Sequence, residues 1–411
     1  MNDRRRILIV APEYPYPPYD GHTNRIYNLF RHFASGCKFD LVAFGRDDLS
    51  TQSDGILKGQ LGPCFDSVEL IPRNTLNKIE IKRGIDSIRN ILYPYENSIG
   101  EPYYSDALAR RVKEKVLSGH YDLIFLCGLY IALYFDKNMG SIPYVVDMAD
   151  SMSLLMRSYF KAEKKPVEKF KKYLNYIWAE RYEKIYCSRI PNIIMCNDVD
   201  AQKIRKNCPK SRVWSVQAGV DTNYYRHSNS TTRSRGLLFT GVMEYAPNNL
   251  AMLYFIRKIF PLIKKEASDV TLTIAGRNPS HELIALADQT QGIRVTGYVD
   301  DLRPFFDSSL IYISPLITGA GIKNKILEAW AMSMPVVATS MSCSGIETEN
   351  NFNILIGDRP KEFADKVMTL LADESLRTKL SRNGRQTVEH KYSWSTRSRM
   401  LKEIFDSLLG Q

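Results

Sequence analysis

The feature that most constrains this chain is an alternation that runs through it twice. Short apolar runs, rich in β-branched and aromatic residues, are each followed by a stretch with helical spacing. The first series begins with RILIVAP (Arg6–Pro12). Helical spacing follows in NRIYNLFRHFA (Asn24–Ala34), with apolar residues at Ile26, Leu29, Phe30 and Phe33. KFDLVAFG, SVELIPR, YDLIFLCG, SIPYVVDMAD and IPNIIMCND continue it. Strands separated by helices pair in parallel, and the helices cover both sheet faces. The series restarts at GLLFTG (Gly236–Gly241), with a long helix from Asn249 to Ala267, then VTLTIAG, IRVTGYV, SLIYISPL and PVVATS. Between the two lies RHSNSTTRSR (Arg226–Arg235), which has no apolar residue. Two doubly wound α/β domains joined near residues 221–235 are expected, and 411 residues are too many for one core.

Composition narrows the class. No apolar run reaches the length of a membrane span. The basic start MNDRRRILIVAPEYP superficially resembles a leader. Its apolar core, Ile7–Ala11, is too short and is interrupted by Pro12 and Glu13, so it reads as a buried first strand. Seven scattered cysteines with no CxxC pair argue against a metal cage or disulfide framework and fit a reducing cytoplasm. A net charge of +11 calls for an anionic partner: a phosphorylated substrate, an anionic membrane face or a nucleic acid. No nucleic-acid motif is present. No GxGxxG follows the first strand, which argues against a dinucleotide dehydrogenase.

Ligands of doubly wound folds bind at the carboxyl ends of strands, and three stretches fall there. The first is GAGIKNKILEAWAMSMPVVAT (Gly319–Thr339). Gly319 and Gly321 permit close backbone approach. A helix beginning near Ile322 turns free N–H groups and its positive end toward the loop. Lys323 and Lys325 add charge. This suits a phosphate or diphosphate; a glycine-rich turn with solvated lysines is the equal alternative. Glu328, one to two turns inside the helix, is placed to accept two vicinal hydroxyls such as those of a ribose. The alternative is a solvent-facing carboxylate paired with Asn324 or Lys325. The second stretch is VTGYVDDLRPFFDSS, where backbone amides at Val295, Gly297 and Tyr298 could meet a base edge. Pattern alone favours an ordinary turn with Asp300 capping a helix. The third is PEYPYPPYDGHTNR. Its prolines exclude helix until Gly21 opens one, capped by Asp20 or Thr23, and Gly21 and His22 lie at the ligand end. The final segment, with apolar Trp394, Met400, Leu401, Ile404, Phe405 and Leu408, reads from its pattern as a helix capping the second domain.

Together these residues resemble glycosyltransferase family 4, the retaining nucleotide-sugar transferases of the GT-B fold. The nearest likeness is to bacterial members that build exopolysaccharide or lipopolysaccharide. The similarity covers nearly the whole chain and is strongest from Gly219. AGVDTNYY, LLFTGVMEYAPN, LTIAGR, RVTGYVDDLRPFF and GAGIKNKILEAWAMSMPVVAT stand in family order. The resemblance implies two Rossmann-like domains facing across a cleft. Residues 1–220 would bind acceptor and 221–390 the sugar nucleotide, with 391–411 forming a helix that crosses back to the first domain. It assigns donor contacts to Gly21, His22, Gly241, Asn248, Arg277, Val295, Gly297 and Tyr298. The diphosphate cradle falls on Gly319, Ala320, Gly321 and Ile322, and the ribose-binding carboxylate on Glu328.

Departures from the family pattern are explicit. Ala320 stands where the first glutamate of the Glu–x7–Glu motif belongs. Val242 and about Pro247 replace the usual arginine and lysine, leaving Lys323 and Lys325 as candidates for that charge. Asp147 and Asp150 stand where many members carry a first-domain histidine, and they are the candidates to meet the transferred sugar or the acceptor hydroxyl. Helix capping by Asp150 or Ser151 is the alternative. The implied chemistry is front-face displacement with retention, with no metal or cofactor; Asp300 and Asp301 read as turn acids. The acceptor is a glycan or a lipid-linked species. The basic, aromatic stretch 157–189 suits peripheral contact with an anionic membrane, although its pattern alone favours a solvated helix pair. The rivals are a nucleotide-sugar epimerase on the same fold, for which six histidines are few, and a degenerate nucleotide-binding partner, which Ala320 favours.

Overall fold

The computed structural model describes residues 5–18, 21–33, 36–45, 53–75, 105–134, 141–163, 165–228, 233–318 and 324–410. The chain divides into two compact units. One comprises residues 1–217 with 397–411, the other residues 218–396.

The first unit is a seven-stranded sheet ordered β3-β2-β1-β4-β5-β6-β7. Its strands are β1 (Arg5–Ala11), β2 (Cys37–Gly45), β3 (Phe65–Pro72), β4 (Leu123–Cys127), β5 (Tyr144–Ala149), β6 (Asn192–Met195) and β7 (Arg212–Ser215). Every pairing is parallel. β4 is buried along its length and β1 from Ile7 onward, as helices on both faces require. Connections run one way from β1 to β3 and the other way from β4 to β7, so the topological switch lies between β1 and β4. The helix Gly21–Arg31 follows β1 and presses Ile26, Leu29 and Phe30 into the core.

The second unit repeats the plan with six strands ordered β10-β9-β8-β11-β12-β13. They are β8 (Ser234–Thr240), β9 (Thr271–Ala275), β10 (Ile293–Val295), β11 (Ser309–Ser314), β12 (Val336–Ala338) and β13 (Leu355–Ile356), again all parallel. Here the switch lies between β8 and β11.

Three local readings change. The helix expected over 249–267 runs Ala246–Tyr254 and Phe260–Glu266, with a π turn at Phe255–Ile259 between them. Pro261 is the cause: its ring displaces the carbonyl four residues back and it has no N–H to donate, so the ladder widens. The strand expected through IRVTGYV stops at Val295, because Gly297 turns to φ +69°. Asp300 does not cap the next helix; the Asp301 carboxylate accepts from the Arg303 backbone N–H at 2.9 Å instead.

The final helix spans Trp394–Leu408. From Arg397 it belongs with the first unit rather than capping the second. Phe405 packs 5.6 Å from Phe33 and 5.9 Å from Phe125, and Asp406 pairs with Arg5 at 2.6 Å. The passage between units differs from residues 220/221 and 390/391 by a few positions. Val220 N–H donates to the Tyr392 carbonyl at 2.8 Å, and Trp394 N–H donates back to Val220 at 3.3 Å. A Cβ on Gly219 would lie 2.8 Å from the Trp394 ring. These contacts hold residues 218–220 to the second unit.

Candidate functional site

In the second unit three glycines meet where β8, β9 and β10 end. Gly241 has φ +152°, Gly276 φ +151° and Gly297 φ +69°. Gly241 N–H donates to the Ala275 carbonyl at 3.0 Å, and Gly276 N–H to the Gly297 carbonyl at 3.1 Å. A Cβ on Gly276 would sit 1.8 Å from the Gly241 carbonyl oxygen, so no other residue fits there. Met243 N–H donates to the Arg277 carbonyl at 2.9 Å, which locks the turn after β8 to the turn after β9.

Lys325 reaches this turn from the helix Asn324–Ala331, whose first turn carries no acid. Its Nζ donates to Asn248 Oδ1 at 2.5 Å and lies 4.4 Å from the Phe239 ring centroid. A Cβ on Gly241 would come within 3.0 Å of that Nζ. Asn248 is itself oriented by donating to the Val242 carbonyl at 2.8 Å. A cation therefore stands at the β8 turn although Val242 and Pro247 supply none, and it arrives from 77 positions along the chain.

Glu328 follows one turn later and is half-buried, not solvent-facing. Burial pushes its pKa up to about 7, against the pull of Lys325. Its charge raises the hydroxyl pKa of Tyr225, with burial adding to it, whereas Tyr312 is raised first by burial and then by the same charge. The Tyr312 hydroxyl lies 3.0 Å from Thr240 Oγ1 at the end of β8. Beyond β11, Ser342 Oγ donates to the Ser314 carbonyl at 2.6 Å, and Thr339 Oγ1 donates to the Leu316 carbonyl at 2.6 Å. These bonds fix the start of the loop that leads to the helix. Gly319, Ala320, Gly321, Ile322 and Lys323 lie outside the described residues.

Gly241, Asn248, Lys325 and Glu328 thus gather at one end of the sheet, beside its switch point. Val295 and Gly297 are half-buried at the neighbouring strand end. Tyr298 is 71% exposed and Arg277 is exposed. Sequence reading passed over Gly276 and Tyr225. Gly276 was legible in LTIAGR as a glycine closing a strand; Tyr225 had no local signal.

In the first unit Asp147 and Asp150 share the end of β5 but not a role. Asp147 is 3% exposed, and both its oxygens accept from Arg25, Nε at 2.7 Å and Nη2 at 3.2 Å. Arg25 Nη1 also donates to the Val216 carbonyl at 2.7 Å. Asp147 is a buried partner rather than an open carboxylate. Asp150 is exposed, and its Oδ1 accepts from Cys196 Sγ at 2.7 Å. Burial and this carboxylate raise the Cys196 pKa, keeping it a neutral thiol. Ala149 between the two acids is held at φ +58°, a strained value for alanine. Ser151, not Asp150, caps the next helix, accepting from Leu154 N–H at 3.3 Å. Gly21 and His22 open the helix that carries Arg25, and a Cβ on Gly21 would meet open space. Thr23 lies within that helix and so does not cap it, and Asp20 lies outside the described residues.

Two parallel doubly wound sheets, with glycines, a lysine and a shielded carboxylate at the strand ends of the second, are the elements of the GT-B fold. The sequence profile of the group 1 glycosyl transferases matches residues 234–373. An uncharacterized 44.6 kDa protein in the cps region of Klebsiella pneumoniae is 23% identical over 99% of each chain. The capsular polysaccharide biosynthesis glycosyltransferase CapM of Staphylococcus aureus is 28% identical over 37% of this chain and 42% of its own. Anabaena Alr3699/HepE, solved in complex with UDP, superposes with a TM-score of 0.66 at 13% identity, over 98% of this chain and 100% of that one. Over residues 234–373 the chain is similar to the group 1 glycosyl transferases, in the half where its motifs carried the resemblance.

Proposed function

We propose that this protein moves a hexosyl group from a nucleotide-sugar donor to a glycan or lipid-linked acceptor, with retention, in the assembly of a surface polysaccharide. The observation that carries the reading is the joining of Lys325, Asn248 and Gly241 at the switch point, one helical turn from Glu328. A diphosphate there would meet Lys325 Nζ and the positive end of the helix Asn324–Ala331. Glu328 would accept the ribose hydroxyls, which keep its carboxylate charged despite burial. Val295–Tyr298 would face the base. In this reading Gly319–Ile322 and Lys323, outside the described residues, would complete the donor site. CapM and the UDP complex of Alr3699/HepE support the acceptor class and the donor class.

Catalysis is then electrostatic: charge developing on the leaving phosphate is held by groups already oriented for it. The leaving oxygen takes the acceptor's proton on the same face, so no protein nucleophile and no metal are needed. Asp150 is the first-unit carboxylate open to a sugar or acceptor hydroxyl; Asp147 holds Arg25 and serves by position. Work at the cytoplasmic side of an anionic membrane belongs to the same reading.

A thermal-shift panel of UDP, GDP, ADP and their sugars tests the site. One nucleotide should raise the melting temperature, and Glu328→Ala should abolish the response. Silence toward all of them refutes the donor site. Because Ala320 removes one motif carboxylate, a degenerate binding partner is the second reading. Mass detection of hexose transferred to a lipid or glycan fraction decides between them, and interconversion of the free donor would mark an epimerase.

A further inference from the structure

The helices Met152–Ala162 and Pro166–Cys187 form a hairpin in the first unit. Its base is anchored. Glu183, fully buried, accepts from Ser151 Oγ at 3.1 Å and from Ser153 N–H at 3.2 Å, and Tyr182 and Cys187 enter the core. Its distal half has one face committed to the partner helix. Phe160 packs 5.2 Å from Tyr173, Lys169 Nζ lies 5.7 Å from the Phe160 ring, and Lys172 pairs with Glu163 at 2.6 Å.

The opposite face of Pro166–Cys187 is uncovered. Val167, Phe170 and Leu174 recur at helical spacing along one stripe. They are 69%, 62% and 39% exposed. Leu155 and Tyr159 are also exposed on the neighbouring helix. Such a patch marks an interaction surface. Residues 157–174 contain seven lysines and arginines against two glutamates, nearly half of the chain's net +11. Lys161, Lys165 and Lys171 are exposed on the hairpin, and Lys169 is exposed on the side that meets Phe160; among the described residues Lys171 pairs with Glu168 at 2.8 Å.

We infer that this hairpin face docks on an anionic lipid bilayer, with the Val167–Phe170–Leu174 stripe entering the headgroup boundary and the lysines meeting the phosphates. Charge decides the occupant: two copies of so basic a face repel one another, whereas an anionic surface complements it. Among the described residues no helix is long and apolar enough to cross a membrane. The hairpin lies on the bilayer rather than through it. The inference gives the membrane part of the proposed function its surface but does not depend on the donor chemistry, since every residue in it belongs to the first unit and nucleotide binding is measured separately.

Co-sedimentation of the full chain with vesicles tests it. Vesicles of phosphatidylcholine mixed with phosphatidylglycerol should retain the protein, phosphatidylcholine alone should not, and raised salt should release it. Each lysine beside an anionic surface is worth about a fivefold factor in partitioning. Lys165→Gln with Lys171→Gln should therefore lower retention by roughly 25-fold. Phe170→Ser should lower it while leaving the circular dichroism spectrum and any nucleotide-induced thermal shift unchanged. Equal retention by neutral vesicles, no retention by anionic ones, or indifference to these substitutions would overturn the inference. So would a dimer in sedimentation velocity that Phe170→Ser dissolves, because a second copy would then be the occupant.

Discussion

Replacing Glu328 by glutamine should stabilise the unliganded protein at alkaline pH while abolishing its response to nucleotide. The carboxyl has a pKa of about 7 in the fold, where burial disfavours its charged form, against an ordinary 4.5. Between those values the native state holds more proton than the unfolded chain, so stability falls as pH rises through the window. Below it both states are protonated and nothing is lost; above it the full cost is present. A difference of this size corresponds to about 3 kcal/mol at 1.36 kcal/mol per unit. Since the side chain is half-buried rather than sealed, solvent screening lowers the expectation to about 2 kcal/mol. Glu328→Gln removes the ionisation and keeps the shape. By differential scanning calorimetry without nucleotide, the second unit's transition in the variant should match wild type near pH 4.5. At pH 8 it should lie about 4–8 °C above wild type. The same variant should lose the nucleotide-induced shift, because an amide cannot accept from two hydroxyls as a carboxylate does. A stability difference that does not change with pH, or a variant weaker than wild type at pH 8, would show that Glu328 is not held against its charge.

Lys325→Met should weaken nucleoside diphosphate binding by about 10–100-fold, the worth of a charge-assisted hydrogen bond, and leave the uncharged nucleoside nearly unaffected; isothermal titration calorimetry reads both. Gly276→Ala should lower the melting temperature and abolish nucleotide response together, since the new methyl must push the Gly241 carbonyl aside. Arg25→Met leaves Asp147 buried without its partner and should cost about 3–5 kcal/mol in chemical denaturation of the first unit. Asp150→Asn should keep the nucleotide shift and lower the rate of sugar transfer in a product assay.

Much of the fold was readable from local pattern. A parallel strand between two helical layers has no polar face, so runs such as Leu123–Cys127 and Ile7–Ala11 announce themselves as continuous apolar segments. Two of the strands at the sheet margins, β7 and β13, do not. β7 is only half-covered and carries Arg212 and Ser215, while β13 is two residues long, and neither has a period to detect.

The candidate site divides along the same line. Glu328, Lys325 and the glycines at 241 and 297 stand at element ends that residue type and order identify, and a helix start brings its dipole wherever it occurs. Sequence by itself therefore determined the strand ends at which the candidate groups stand. Only the tertiary structure decided which groups meet. Asn248 receives Lys325 because β8 and β11 are neighbours across the switch point, and Arg25 consumes both oxygens of Asp147 because the helix Gly21–Arg31 packs over β5's end. Gly276 is obligatory because the carbonyl of Gly241 crosses the space a side chain would need. Those meetings depend on which strands lie side by side, and strand adjacency is set by packing over the whole sheet rather than by any stretch of residues along it.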